Sequence, residues 1–182
     1  SGINVRNIQS PVGIASTTTI VGFPTTGTTN NYTNFKAIPV GLRDLSDGFT
    51  RNLTRSPFWT KSEINTNNGK YYSVGDNFPQ LYTDSVGYSK KSGFLIRLVR
   101  NATLQEQSYS DGTYCTPYRG NDGQLYKTVK IGTQVWTSEN LAETLYRGGT
   151  EITNVTDNTQ WSSLTSGARC AYNNDESNVF LP

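Results

Sequence analysis

The sequence predicts a mainly β protein with many loops and little helix. Three observations carry this. Turn dipeptides recur at Asp47-Gly48, Asn68-Gly69, Asp111-Gly112 and Asp122-Gly123, pairings that favour the positive φ of tight turns. Short β-prone runs lie between them, clearest at 70–74 (KYYSV), 93–99 (GFLIRLV) and 124–131 (QLYKTVKI). Finally, no stretch has an apolar stripe long enough to hold a stable helix.

Taken in chain order, residues 1–34 are rich in Thr, Gly and Asn. We expect them to be extended and to draw their order from partners. As one strand, 93–99 would put Phe94, Ile96 and Leu98 on one face and Leu95 and Val99 on the other. Residues 101–121 hold several polar residues, Asp111-Gly112 and Pro117, and read as a joint. Residues 124–137 read as a hairpin turning at Gly132-Thr133, with Leu125, Lys127, Val129 and Ile131 sharing a face. Ser138–Glu143 and Thr159–Leu164 each suit about one helical turn, the second capped by Thr156 or Asp157.

Composition narrows the function classes. Aromatics make up 12% of the residues, which a disordered chain would not carry. Charged residues are only 16%, so the surface is neutral and rich in hydroxyls and amides. That predicts an extracellular, cell-surface or virion setting. The net charge is +2 with scattered bases. The nearest approach to a basic patch is Lys90, Lys91, Arg97 and Arg100, too short for a nucleic-acid footprint. No apolar run reaches the roughly 18 residues of a membrane span. The chain lacks Met, as expected of a processed product or a piece of a longer protein. Cys115 and Cys170 read as a disulfide in an oxidising compartment, with two buried thiols as the alternative.

Catalytic chemistry finds little support. Without His there is no Ser-His or Cys-His pair, and two cysteines cannot complete a zinc site. Asp44 with Asp47, and Asp175 with Glu176, read as solvated turn residues rather than a glycosidase pair. Asn173-Asn174-Asp175-Glu176 is oxygen-rich enough for calcium, but an Asx turn outweighs that reading. Arg43 and Arg97 read as buried structural arginines. We therefore expect no enzyme activity, no cofactor and no bound metal.

One stretch runs Asp122-Gly123-Gln124-Leu125-Tyr126-Lys127-Thr128-Val129-Lys130-Ile131-Gly132-Thr133-Gln134-Val135-Trp136, then Glu139-Asn140-Leu141. It is followed by Thr156–Trp161 and by Gly167-Ala168-Arg169-Cys170-Ala171-Tyr172-Asn173-Asn174-Asp175. These blocks resemble the opening of the Fibrobacter succinogenes major paralogous domain. Phe35–Arg43, Phe58–Glu63 and Lys91–Arg100 resemble the closing blocks of the same family. The order departs from the family: its end comes first here, its beginning second, and its middle is absent. The resemblance implies that residues 1–100 are the C-terminal part of one lectin-like domain. Residues 101–121 would then be a joint, and 122–182 the N-terminal part of the next domain. One permuted, shortened domain is the alternative.

The family resembles C-type-lectin-like folds, so the resemblance implies irregular sheet elements of that kind. In related variable proteins the binding face precedes the closing strand. The corresponding stretch here is 57–92, and Trp59, Asn65, Asn67, Tyr71, Tyr72, Asn77, Tyr82 and Tyr88 become its candidate ligand-binding residues. Tyr and Asn supply rigid contact area and adaptable hydrogen bonds. The implied function is adhesion or ligand binding on a bacterial surface protein or phage fibre, with a structural fibre subunit as the alternative. Expected partners are copies of itself or adjacent repeats, and a carbohydrate or cell-surface protein. Uncovered faces and open strand edges at 93–99 and 124–131 would invite association, with 1–34 as a strand donor.

Overall fold

Short β-prone runs separated by glycine turns fold into three small sheets in the computed structural model, which describes residues 6–9, 34–37, 41–45, 48–50, 55–75, 83 and 85–179. The protein is mainly β. The first sheet holds β1 (Arg6–Gln9), β2 (Leu42–Arg43), β3 (Phe49–Thr50), β7 (Gly93–Phe94) and β12 (Arg169–Ala171) in the order β12-β1-β7-β2-β3. The second holds β8 (Val99–Asn101), β9 (Tyr114–Arg119), β10 (Leu125–Ile131) and β11 (Gln134–Thr137) in the order β8-β11-β10-β9. The third is β4 (Arg55–Glu63), β5 (Asn68–Gly75) and β6 (Tyr88–Ser89).

The helices among the described residues are short. In α1 (Leu104–Gln107), Thr103 and Glu106 form a reciprocal capping box, which stands in for the missing interior bonds of so brief a helix. In α2 (Asn158–Ser163), Asp157 is the cap, as the sequence suggests. Ser138–Glu143 is not helical. Its polar side chains are committed elsewhere: Asn140 Oδ1 accepts from Arg97 Nε at 2.7 Å, and Glu143 accepts from the backbone N–H groups of Asn121 and Asp122 at 2.8 Å each.

Several expectations are corrected. The run 93–99 is not one strand. Phe94 and Leu95 are both fully buried, in different aromatic and apolar clusters, because the chain passes between two layers at this point. Leu95 bridges Phe58, and Arg97 then turns inward to bond the carbonyls of Phe35, Lys36 and Thr137. The strands β7 and β10 in these runs are paired on each side, β7 with both β1 and β2, and β10 with both β9 and β11, while Val99 falls in β8, an edge strand of the second sheet. The 124–137 hairpin forms, but Leu125 is 54% exposed while Tyr126, Thr128 and Lys130 are buried on the opposite face. Lys130 is tolerated there because its ammonium meets Asp111 Oδ1 at 2.8 Å. Residues 101–121, read as a joint, carry α1 and β9.

The disulfide is also corrected: both thiols are free. Cys115 lies on β9 and Cys170 on β12, strands of different sheets. Cys170 packs with Val155, Trp161 and Ala168, so it serves as a small apolar side chain.

Strands from the two halves of the sequence are interleaved. β8 pairs with β11, and β1 lies between β7 and β12. Buried arginines add to this stitching. Arg43 Nη1 donates to Val155 O at 2.6 Å, and Nη2 donates to Thr156 O and Asn158 Oδ1 at 2.9 Å each. Its guanidinium lies 4.1 Å from the Trp161 ring centre. Such a planar fork can serve several oxygens and stack on a ring at once, so the structural reading of Arg43 and Arg97 holds.

Candidate functional site

The β4–β5 hairpin sorts its side chains by strand alternation. Trp59 stands opposite Tyr71, and Pro57 opposite Ser73, so these four share one face. On it Trp59 stacks on Phe94 with ring centres 4.3 Å apart, and Tyr71 meets Phe94 and Tyr88 edge-on at 5.4 and 5.9 Å. Phe58 points the other way, into a cluster with Ala37 and Leu95. Gly69 fits the same packing: a Cβ there would sit 3.0 Å from Trp59 Cζ3.

Beyond this base the hairpin tip is polar and open. Residues 61–67 are all exposed. The turn nevertheless has internal bracing. Asn65 Oδ1 accepts from the N–H groups of Asn67 and Asn68 at 2.9 and 2.8 Å. Lys90 reaches across from the next turn, its N–H donating to Asn67 O and its ammonium to Thr66 O, both at 2.9 Å, with Glu63 3.3 Å away. Asn68-Gly69 is therefore not the turn itself but the start of β5; the turn is one step earlier, at 64–67.

Below the tip, Gly41, Leu42, Pro57, Tyr71, Ser73, Tyr88 and Phe94 line a cleft of about 210 Å³. The Tyr88 hydroxyl donates to Asp44 Oδ2 at 2.8 Å. Burial, then this bond and the Asp44 charge, push the Tyr88 phenol up to about 12. Ser73 Oγ is buried without a hydrogen-bond partner.

The predicted ligand residues thus divide. Trp59 and Tyr71, 7% and 8% exposed, are core side chains rather than open contact surface. Large flat rings in a small protein are the cheapest means of filling a thin interior. Tyr71 and Tyr88 wall the cleft, Tyr72 lies half-buried on the other face near Lys70, and Asn65 and Asn67 form the exposed tip. Asn77 and Tyr82 lie outside the described residues. Sequence reasoning missed Lys61, Ile64 and Lys90 at the tip and Asp44 beside Tyr88. The polar run between Trp59 and Tyr71 was the available signal for the first two.

The acidic groups are engaged in structure. Asp175 Oδ1 accepts from Ser177 N–H and Oγ–H, an Asx turn, and Glu176 takes Asn154 Nδ2–H and faces Arg169. Among the described residues no three His, Cys, Asp or Glu side chains converge as metal ligands, and no helix is long and apolar enough to cross a membrane. Comparison with family models, curated proteins and solved structures gave no match.

Proposed function

We propose that the chain is a non-enzymatic adhesion or ligand-binding module of an extracellular bacterial surface protein or phage fibre. The supporting observation is the hairpin tip. Its seven polar and aliphatic residues 61–67 are exposed, yet its turn is braced by Asn65 and Lys90 on a stacked aromatic base. A preorganised loop on a rigid scaffold loses little entropy on binding. Alternating amide, hydroxyl and ammonium groups suit a hydroxyl-rich ligand such as a carbohydrate. The interleaved strands favour one permuted, shortened lectin-like domain over two partial ones.

Binding of the purified chain to a glycan array and to intact bacterial cells tests the proposal. The triple variant K61A/I64A/N67A removes tip side chains and leaves the Asn65 and Lys90 braces. It should bind at least tenfold more weakly while its unfolding midpoint stays unchanged. Equal binding by variant and parent, or no binding by the parent, would reject the adhesion reading.

A second reading, a structural subunit that assembles into a fibre, has its own support. An interior strand of the first sheet, β1, has only four residues, and residues 10–33 separate it from the next described segment.

A further inference from the structure

In the first sheet β1 runs parallel to both neighbours. Arg6 and Asn7 stand opposite Gly93 and Phe94 of β7, while Asn7, Ile8 and Gln9 stand opposite Arg169, Cys170 and Ala171 of β12. Without β1 the sheet divides into β12 on one side and β7-β2-β3 on the other. Each side would then present a row of unpaired backbone groups, a template for another strand.

The two walls of this slot are fixed to each other by bonds that bypass β1. Arg43, on β2, holds the carbonyls of Val155 and Thr156 and the side chain of Asn158. Trp161 Nε1–H donates to Lys91 O at 2.8 Å, and Lys91 Nζ donates back to Ser162 O at 3.1 Å. β12 is in turn tied to 153–155, since Arg169 N–H donates to Thr153 O and Val155 N–H to Arg169 O. The slot therefore keeps its width when β1 leaves. Its walls are also dry: Phe94, Cys170 and Ala171 are buried, so an empty slot would be costly and refilling it favourable.

The occupant can come from another copy. The 24 residues 10–33 between β1 and Asn34 set a maximum reach of about 80 Å, at roughly 3.3 Å per residue, enough to reach a neighbouring molecule. We propose that the slot between β7 and β12 is a strand acceptor, and that residues 6–9 of a second copy of this chain exchange into it. Exchange keeps both ladders and every register pair, so it costs only the choice between two molecules. A strand tethered to its own acceptor competes at an effective concentration on the order of millimolar. Self-insertion should dominate at 10 µM and exchange should rival it near 1 mM. Polymerisation follows because each copy has one donor and one acceptor. The inference rests on the assembly reading and is independent of the adhesion reading.

The register supplies the test. Directly opposite residues on neighbouring strands are about 4.8 Å apart, within the Cα range that a disulfide tolerates. Ile8→Cys, in a Cys115→Ser background, puts a thiol opposite Cys170. Two differently tagged versions are mixed at 10 µM and at 1 mM, oxidised, and resolved without reductant, with light scattering in parallel. The expected result is cross-links between position 8 of one tag and Cys170 of the other, at least tenfold more abundant at 1 mM, extending into a ladder. Intrachain cross-links alone at both concentrations overturn strand exchange. Oligomers in light scattering without interchain cross-links overturn exchange but leave assembly by another surface standing. Monomers at both concentrations overturn both.

Discussion

Replacing Arg43 with Met should cost about 3–5 kcal/mol, the range for removing one partner from a buried charged network. The magnitude follows from what the guanidinium touches. It is fully buried and donates to three oxygens on residues 155, 156 and 158 at 2.6–2.9 Å. Each such charged bond contributes roughly 1.5–3 kcal/mol, partly offset by the desolvation of the guanidinium and by its buried, unpartnered Nε. Stacking on Trp161 adds about 1–2 kcal/mol. Met fills similar volume but leaves the buried Val155 carbonyl without this donor, while Thr156 O keeps the Asn174 Nδ2–H bond at 2.9 Å. With a urea slope of about 2–3 kcal/mol/M, the midpoint should fall by roughly 1.5 M, read by tryptophan fluorescence, since Trp161 lies against the site. Asn158→Ala alone should cost less, and the double variant less than the sum, because both remove one shared bond. An R43M loss below about 1 kcal/mol, or strict additivity with N158A, would refute the claim that this fork joins the two halves of the chain.

Two further outcomes follow from the free thiols and the capping box. In a native thiol titration Cys115, partly exposed, should react, and Cys170 should react only on unfolding, because burial pushes its thiol up to about 11. An intact mass about 2 Da below the reduced value, the loss of two hydrogens, would instead reveal a disulfide. Glu106 is held down to about 2, first by its bond to Arg100 and then by the Thr103 N–H. Its stabilisation is complete above its ordinary value of 4.5 and lost as pH falls through 2. Glu106→Gln should therefore be less stable than the parent at pH 7, and the two melting curves should converge towards pH 2. Parallel curves across that interval would contradict the assignment.

The β-rich class, the 124–137 hairpin and the Asp157 cap are legible because each is written in local chemistry. Gly132 takes a positive φ at the turn that its dipeptide predicts, and Asp157 has an oxygen within reach of the N–H of Gln160. The structural role of Arg43 agrees with the reading drawn from its place in the Phe35–Arg43 block. The candidate site was only partly legible. Strand alternation could place Trp59 and Tyr71 on one face but not say whether that face meets water or Phe94, which lies 35 and 23 positions further along the chain by the numbering. The capping box Thr103-x-x-Glu106 was present in the sequence but was absorbed into a stretch read as a joint.

Local propensities and turn residues determined a mainly β chain with brief helices, because those preferences act over a few neighbours. The tertiary structure decided everything that depends on distant partners. It made 93–99 a crossing between two layers rather than a strand, because Phe94, Leu95 and Arg97 each find a different set of buried contacts. It separated Cys115 from Cys170 by placing them on different sheets. It also put β1 inside a sheet, between β12 and β7, whose other strands are 33 to 160 positions away in the numbering. Composition says what kind of strand a segment can be, but pairing is chosen by edges that exist only once the rest of the chain has folded.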